Sequence, residues 1–335
     1  MVASFLIAER RVSTLVMVHL RQLLDQWIAR LTTFLDIDSK KIGQIGGGKR
    51  KPTGIIDVAI IQSLSKKGIV DDIVGDYGYL VVDECHHISA RSFEITARQS
   101  KAKYVTGLSA TVVRKDGHQP IIFMNCGPIR YKVDDRKQAT KRPFTHKVIV
   151  RKTSFELPSH LEMKEPPAIH ELYAALIRDE KRNDIIVDDV LQSVKAGRSP
   201  VILTERRGHL ETLEALLTSR VENVFVMKGG MGKKQRLALS EKMQQLGENQ
   251  ERVILATGRY LGEGFDDARL DTLLLTLPVS WKGVLAQYAG RLHRLYDAKK
   301  EVIIYDYVDV HVPMAARMYE RRMGGYKAIG YEIGE

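Results

Sequence analysis

Short apolar runs alternate with amphipathic stretches along nearly the whole chain, and the pattern occurs twice in series. Thr14–Val18 (TLVMV) is a continuous apolar run, the signature of a strand buried on both faces of a sheet. Leu20, Leu23, Leu24, Trp27, Ile28 and Leu31 follow it at helical spacing. Asp57–Ile61, Tyr79–Val82 and Tyr104–Thr106 read as further strands. The pattern restarts with a helix over Asp184–Val194, ended by Gly197, and a strand at Val201–Leu203. Leu210, Leu213, Leu216 and Leu217 mark the next helix. Strands are expected at Val224–Val226, Val253–Ala256, Thr272–Thr276 and Val302–Tyr305, and a closing helix over Met314–Arg322. Such alternation predicts an α/β fold with parallel sheets.

Between the two series the character changes. Asp134–Arg142 is highly charged, and Pro143, Pro158, Pro166 and Pro167 follow. Proline disfavours helix interiors and central strands, so the junction is expected between Val133 and Lys181. The expected organisation is a first domain over 1–140, a linker over 141–180 and a second domain over 181–335. A length of 335 residues suits about two domains. An apolar fraction of 44% can fill a core, which excludes wholesale disorder. No apolar run reaches the roughly 18 residues of a membrane span, and the N-terminus lacks the basic lead and cleavage site of a signal peptide.

Two cysteines, Cys85 and Cys126, make neither a disulfide framework nor a four-cysteine zinc site, and the expected compartment is the reducing cytoplasm. The chain carries 52 Lys and Arg against 41 Asp and Glu, a formal charge of +11. That excess fits a polyanionic partner such as nucleic acid; simple solubility is the alternative.

The sharpest motif is Tyr79-Leu-Val-Val-Asp-Glu-Cys-His-His87, an apolar strand ending in two adjacent carboxylates. Ligands bind at the carboxyl ends of strands in open α/β sheets, and Mg²⁺ takes one or two protein carboxylates together with phosphate oxygens. Asp83 can hold such an ion while Glu84 polarises a water; an ordinary acidic loop is the alternative. Gly107-Leu-Ser-Ala-Thr111 follows a second strand, and by itself reads as a turn or helix cap. In the second half, Ala256-Thr-Gly-Arg-Tyr-Leu-Gly-Glu-Gly-Phe-Asp266 again follows a strand, with Glu263 and Asp266 able to bond a ribose or to position the next motif. In Gln287-Tyr-Ala-Gly-Arg-Leu-His-Arg294, Arg291 and Arg294 are expected on one helix face. Two guanidinium forks suit a triphosphate; a solvated basic face is the alternative.

The order and spacing of these segments resemble the core of superfamily 2 helicases and translocases, in the DExH branch of XPB-like motors and restriction-enzyme motor subunits. Asp83–His86 (DECH) resembles motif II and Ser109-Ala-Thr111 motif III. Thr14–Trp27, Val58–Ser65, Val201–Arg206, Thr257–Asp266 and Gln287–Arg294 resemble motifs Ia, Ib, IV, V and VI. The resemblance implies two tandem RecA-like domains of P-loop NTPase type, with ATP and Mg²⁺ in the cleft between them. It implies that Asp83 and Glu84 serve Mg²⁺ and the attacking water, and that Arg291 and Arg294 act as arginine fingers. Gly264, Asp266 and Gln287 would join them at the nucleotide, while His86, Ser109 and Thr111 would couple hydrolysis to the nucleic-acid track. DNA is the expected partner, ahead of RNA, with contacts from Ser63, Thr257 and Arg206; a nuclease or methylation subunit is left unassigned. A non-catalytic nucleic-acid-binding remnant or regulatory partner on the same fold is the second reading.

The family's glycine-rich loop ending in Gly-Lys-Thr or Gly-Lys-Ser is not found before Thr14. Met1–Arg10 reads as the helix that follows such a loop, so the first domain is expected to lack its P-loop strand and the chain as written to hydrolyse ATP poorly. Gly43-Gln-Ile-Gly-Gly-Gly-Lys-Arg50 has the spacing of a nucleotide loop but ends in Arg where the metal-binding hydroxyl belongs. A basic surface turn, with Lys49, Arg50 and Lys51 near nucleic acid, is the preferred reading. Lys40 and Lys41 join that cluster, and Arg136, Lys137, Lys141 and Arg142 form a second one. Such contacts give sequence-independent, salt-sensitive binding. The remaining histidines show no metal-binding spacing.

Overall fold

The computed structural model describes residues 1–66, 68–86, 90–110, 119–162, 167–248, 250–258, 267–279 and 282–334. Contacts divide the chain into two compact units, Met1–Lys132 and Val133–Glu335.

The first unit contains β1 (Thr14–Val18), β2 (Ile42–Gly46), β3 (Lys49–Lys51), β4 (Ile56–Ile60), β5 (Ser65–Lys66), β6 (Ile69–Val70), β7 (Tyr79–Val82) and β8 (Tyr104–Gly107). Six of these form one sheet in the order β3-β2-β4-β1-β7-β8, and β5 pairs with β6 alone. All pairings in the larger sheet are parallel except β2 with β3. Central β1 is buried throughout because both its faces are covered. Leu15 and Met17 pack with Ala59 and Leu80, while Val16 and Val18 pack on the other face with Val58 and Val81. The helices Val2–Arg10 and Arg21–Leu35 cover that second face through Ala3, Ile7, Leu23, Leu24 and Leu31.

The Gly43–Arg50 segment is a β-hairpin with no helix behind it. Gly47 and Gly48 form its two-residue turn with φ of 63° and 83°, the left-handed pair that a tight hairpin demands. The loop leading on to β4 is anchored by fully buried Asp57. This carboxylate accepts from Thr53 N (2.8 Å), Thr53 Oγ1 (2.7 Å), Gly54 N (2.9 Å) and the Tyr77 hydroxyl.

The second unit contains β9 (Thr145–Thr153), β10 (Pro200–Thr204), β11 (Val224–Met227), β12 (Val253–Thr257), β13 (Thr272–Leu275), β14 (Glu301–Asp309) and β15 (Glu332–Gly334). They form one sheet in the order β11-β12-β10-β13-β14-β9-β15, parallel at every pairing. Side chains alternate between two cores, as in β10, where Val201 and Leu203 face one and Ile202 the other.

The structure differs from the expected linker. Residues 141–180 contain β9, which pairs with β14 from Thr145 to Thr153, and the helix Ile169–Arg178. The strand escapes notice in the sequence because exposed Lys147 and Lys152 interrupt its apolar positions. Pro143 and Pro158 flank the strand without entering it, as strand chemistry requires.

Buried ion pairs fasten the carboxyl-terminal edge of this sheet. Arg182 (1% exposed) donates from Nε to Asp309 Oδ1 at 2.8 Å and from Nη1 to Thr276 O at 2.7 Å. Arg322 donates from Nε and Nη2 to Asp306, both at 2.8 Å, and Tyr326 Oη donates to the same carboxylate at 2.7 Å. Among the described residues no helix is long and apolar enough to cross a membrane.

Candidate functional site

In the first unit the site is built where the parallel strands end. Beyond β7, Asp83 N donates to Met17 O and Cys85 N to Leu108 O, each at 3.0 Å. Between these two cross-strand bonds Glu84 adopts a left-handed backbone with φ of 46°. That conformation costs a non-glycine residue about 1–2 kcal/mol, and the bonds on either side hold it. The Asp83 carboxylate accepts from Trp27 Nε1 at 2.6 Å and from Glu84 N at 3.0 Å. Burial raises the Asp83 pKa, and the Trp27 bond, the Glu84 amide and nearby His19 act against that rise.

Buried His86 lies just beyond. Its Nδ1 is 2.7 Å from Ser109 Oγ and 3.3 Å from Glu84 Oε2. The fold therefore joins Asp83, Glu84, His86 and Ser109 into one polar chain at the ends of β7 and β8. Thr111 lies outside the described residues. Among the described residues no group of three or more His, Cys, Asp or Glu side chains could cage a metal ion. The adjacent Asp83 and Glu84 fit an ion that takes most of its ligands from phosphate and water, which is the habit of Mg²⁺.

Replacing Trp27 with Phe is expected to raise the Asp83 pKa further, since it removes a donor that favours the ionised form. A carboxyl with a raised folded-state pKa makes its ionised form a cost to folding, and that cost fades as pH falls through the folded-state value. The variant should therefore lose about 1–2 kcal/mol of stability near neutral pH and regain part of it in acid. Carbon-13 NMR titration of Asp83 and urea unfolding at two pH values check this, and an unmoved titration contradicts it.

At the same edge, the exposed β3 cluster Lys49, Arg50 and Lys51 turns back over β2, and Arg50 pairs with Asp71. Exposed Ser63 follows β4, its Oγ so near Gly46 that a Cβ built there would lie at 2.7 Å. Arg21 reaches the hairpin turn, with Nε 3.3 Å from a Cβ built at Gly47. Lys49, Ser63 and Arg21 thus share one end of the sheet, with Arg50 and Lys51 running back from it along β2.

In the second unit, Arg206 and Thr257 also stand at strand ends, after β10 and at the end of β12. The Arg206 guanidinium sits 5.4 Å over the Tyr173 ring. Tyr288 Oη donates to Glu205 Oε1 at 3.1 Å, and Gly258 fits against both, since a Cβ there would lie 2.1 Å from Glu205 Oε1 and 2.4 Å from Tyr288 Oη. The segments resembling motifs IV, V and VI therefore meet around Glu205, Gly258 and Tyr288. Gly264 and Asp266 lie outside the described residues.

Gln287 and Arg291, four residues apart, share a face of the helix Lys282–Leu292. Arg294 does not lie on that face, because the helix ends at Leu292 and Arg294 occupies the turn beyond. The cause is Lys299, 5% exposed, whose Nζ donates to Leu292 O at 2.8 Å and to Arg294 O at 2.9 Å. A cation satisfying the last carbonyls terminates the helix and fixes the turn. Burial lowers the Lys299 pKa to about 8, against the pull of Asp271 and Asp267.

Sequence reasoning missed the parts played by Trp27, Arg21, Glu205, Tyr288 and Lys299. Trp27 carried only a helical-spacing signal, which places the ring but says nothing of its N–H. Lys299 sits beside Lys300 in an ordinary charged run and gave no signal of burial.

The fold is that of two-domain RecA-like helicases. Yeast (S. cerevisiae) Dbp5 bound to RNA and ADP BeF3 matches at a TM-score of 0.66 and 12% identity, covering 99% of this chain and 80% of that one. The sequence family described as type III restriction enzyme, res subunit, matches residues 1–114. The putative ATP-dependent RNA helicase L396 of Acanthamoeba polyphaga mimivirus is 28% identical over 99% of this chain, which spans 62% of that protein. The DNA 3'-5' translocase XPB2 of Sulfurisphaera tokodaii is 23% identical over 92% of this chain and 74% of its own length. The chain is thus similar to superfamily 2 helicase cores, and its relatives form an ATP-hydrolase and helicase enzyme family.

Proposed function

We propose that this chain is the motor core of an ATP-dependent helicase or translocase that acts on DNA. The observation that carries the reading is the polar chain at the ends of β7 and β8, where Asp83, Glu84, His86 and Ser109 meet. On this reading Asp83, oriented by Trp27, holds Mg²⁺ beside the nucleotide's phosphates. Bound Mg²⁺ would supply charge neutralisation at the phosphates under attack. Glu84 orients the attacking water and receives its proton. His86, shared between Glu84 and Ser109, relays the state of the nucleotide to the strand ends that carry Ser63 and the basic hairpin. Arg291 and Arg294 stabilise charge on the γ-phosphate, Gln287 contacts the nucleotide from the same helix face as Arg291, and Gly264 and Asp266 complete its binding.

Lys49, Arg50, Lys51, Arg206 and Thr257 hold the nucleic-acid backbone. The named relatives include both a DNA translocase and an RNA helicase. DNA is preferred because the sequence resembles XPB-like motors over most of its length.

A second reading, a nucleic-acid-binding protein without turnover, is favoured by one observation: the 335 residues contain no Gly-Lys-Ser or Gly-Lys-Thr run. ATP hydrolysis by the full-length gene product, measured with and without DNA and RNA of equal length, separates these readings. Stimulation by DNA supports the motor. Nucleic-acid binding without stimulated hydrolysis supports the second reading. Stimulation by RNA alone overturns the DNA assignment.

A further inference from the structure

The second unit carries a cavity of about 650 Å³ that is not part of the site above. It opens where β9 and β15 begin and where Lys300 leads into β14. Because every strand of this sheet is parallel, that is the amino-terminal edge, opposite the carboxyl-terminal edge that carries Thr257 and Arg206. β14 runs nine residues between the two edges, about 30 Å at the usual rise.

Arg136, Arg142, Lys300 and Lys327 line the cavity, with Glu332 as the one lining carboxylate among the described residues. Among the described residues none of these four cations is held in an ion pair. Arg142 is half-buried, and among the described residues its guanidinium donates only to His146 Nε2, at 3.4 Å. His146 does not add charge of its own, since burial and Arg142 lower its pKa to about 4. Burial likewise lowers the Arg142 pKa, with Tyr331 and Asp135 opposing. A half-buried guanidinium fork with no carboxylate partner is incompletely satisfied, and a tetrahedral oxyanion matches its donors. The frame is fixed: Gly330, with φ of 84°, packs so tightly that a Cβ there would lie 2.5 Å from Ala139 Cβ.

We propose that this cavity is a second anion site, built to take two or more linked phosphate groups with Arg142 at its base and Arg136, Lys300 and Lys327 at its rim. The ligand comes either from a nucleic-acid backbone passing beyond the motor track or from a free oligophosphate, and the chemistry of recognition is the same. Its position makes it independent of the nucleotide reading above.

The test uses the full chain, inorganic tripolyphosphate and a fluorescent single-stranded oligonucleotide. Lys300→Gln/Lys327→Gln is compared with Lys195→Gln/Arg220→Gln, an equal loss of charge at exposed positions that do not line the cavity. Arg142→Gln is a third variant, with its fold checked by thermal melting. The cavity variants are expected to weaken tripolyphosphate binding about tenfold or more, and the control less than twofold. Oligonucleotide affinity that falls in parallel, with a salt dependence shallower by about one to two phosphate contacts, identifies the backbone as the source. Unchanged oligonucleotide affinity identifies a free oligophosphate. Tripolyphosphate binding that is absent, or that responds equally to cavity and control variants, overturns the proposal.

Discussion

Glu84→Gln in the full-length gene product is expected to lower nucleic-acid-stimulated ATP hydrolysis by about 10²–10⁴-fold, the usual contribution of a positioned general base. Nucleotide binding should change only a few-fold. The substitution keeps size and hydrogen-bonding shape, so the left-handed backbone at Glu84 and the flanking bonds from Asp83 N and Cys85 N have no reason to move. What is lost is the proton acceptor and one negative charge beside His86. Steady-state turnover and equilibrium nucleotide binding, measured on the same preparation, check both halves. Turnover equal to the parent protein would remove Glu84 from the chemistry. Lost binding with normal turnover per bound nucleotide would make it a binding residue instead.

Arg322→Met should destabilise the second unit by about 3–5 kcal/mol, the typical effect of stranding one partner of a buried ion pair. Among the described residues Asp306 would keep only the Tyr326 hydroxyl after losing two bonds from the guanidinium. Burial opposes the charge on Arg322, but Asp306 and Tyr326 overcome it, and the net shift of its pKa is upward. The same side chain holds Val279 O through Nη1 at 2.8 Å, just ahead of the helix that bears Gln287 and Arg291. The loss should therefore be felt at that helix as well as in global stability. Adding Asp306→Leu should recover much of the loss, because no uncompensated charge then remains in the core. Urea unfolding followed by circular dichroism measures both variants. A loss below about 1 kcal/mol for the single change would mean that water reaches Asp306.

Much of the site was legible because its residues lie where periodicity changes. A run such as Tyr79–Val82 announces a buried strand, and the first charged residues after it fall at the strand's end, where ligands gather. Asp83 and Arg206 were picked out in that way, whereas Ser63 and Thr257 came only from the family resemblance. Arg294 was misplaced because spacing alone extends a helix until something stops it, and what stops it is Lys299, drawn in by burial. β9 was missed for a related reason: its lysines look solvated in sequence, while its contacts with β14 and β15 are made by backbone. The Gly43–Arg50 segment shows the opposite case. Arg50 in place of the metal-binding hydroxyl already favoured a surface turn, and the pairing of Gln44 with Lys51 shows that turn to be a hairpin.

The amino-acid sequence by itself determined the alternating α/β plan, its repetition, and that the Asp83–Glu84 carboxylates follow an apolar strand, because each of these follows from the hydrophobic period of a few neighbouring residues. Only the tertiary structure decided that Trp27 braces Asp83, that Arg182 and Arg322 are interior charges, and that Lys300 and Lys327 join Arg136 and Arg142 around one cavity. The reason is physical: a charged or indole side chain reads the same in sequence whether water or a distant residue satisfies it, and folding alone supplies the distant partner.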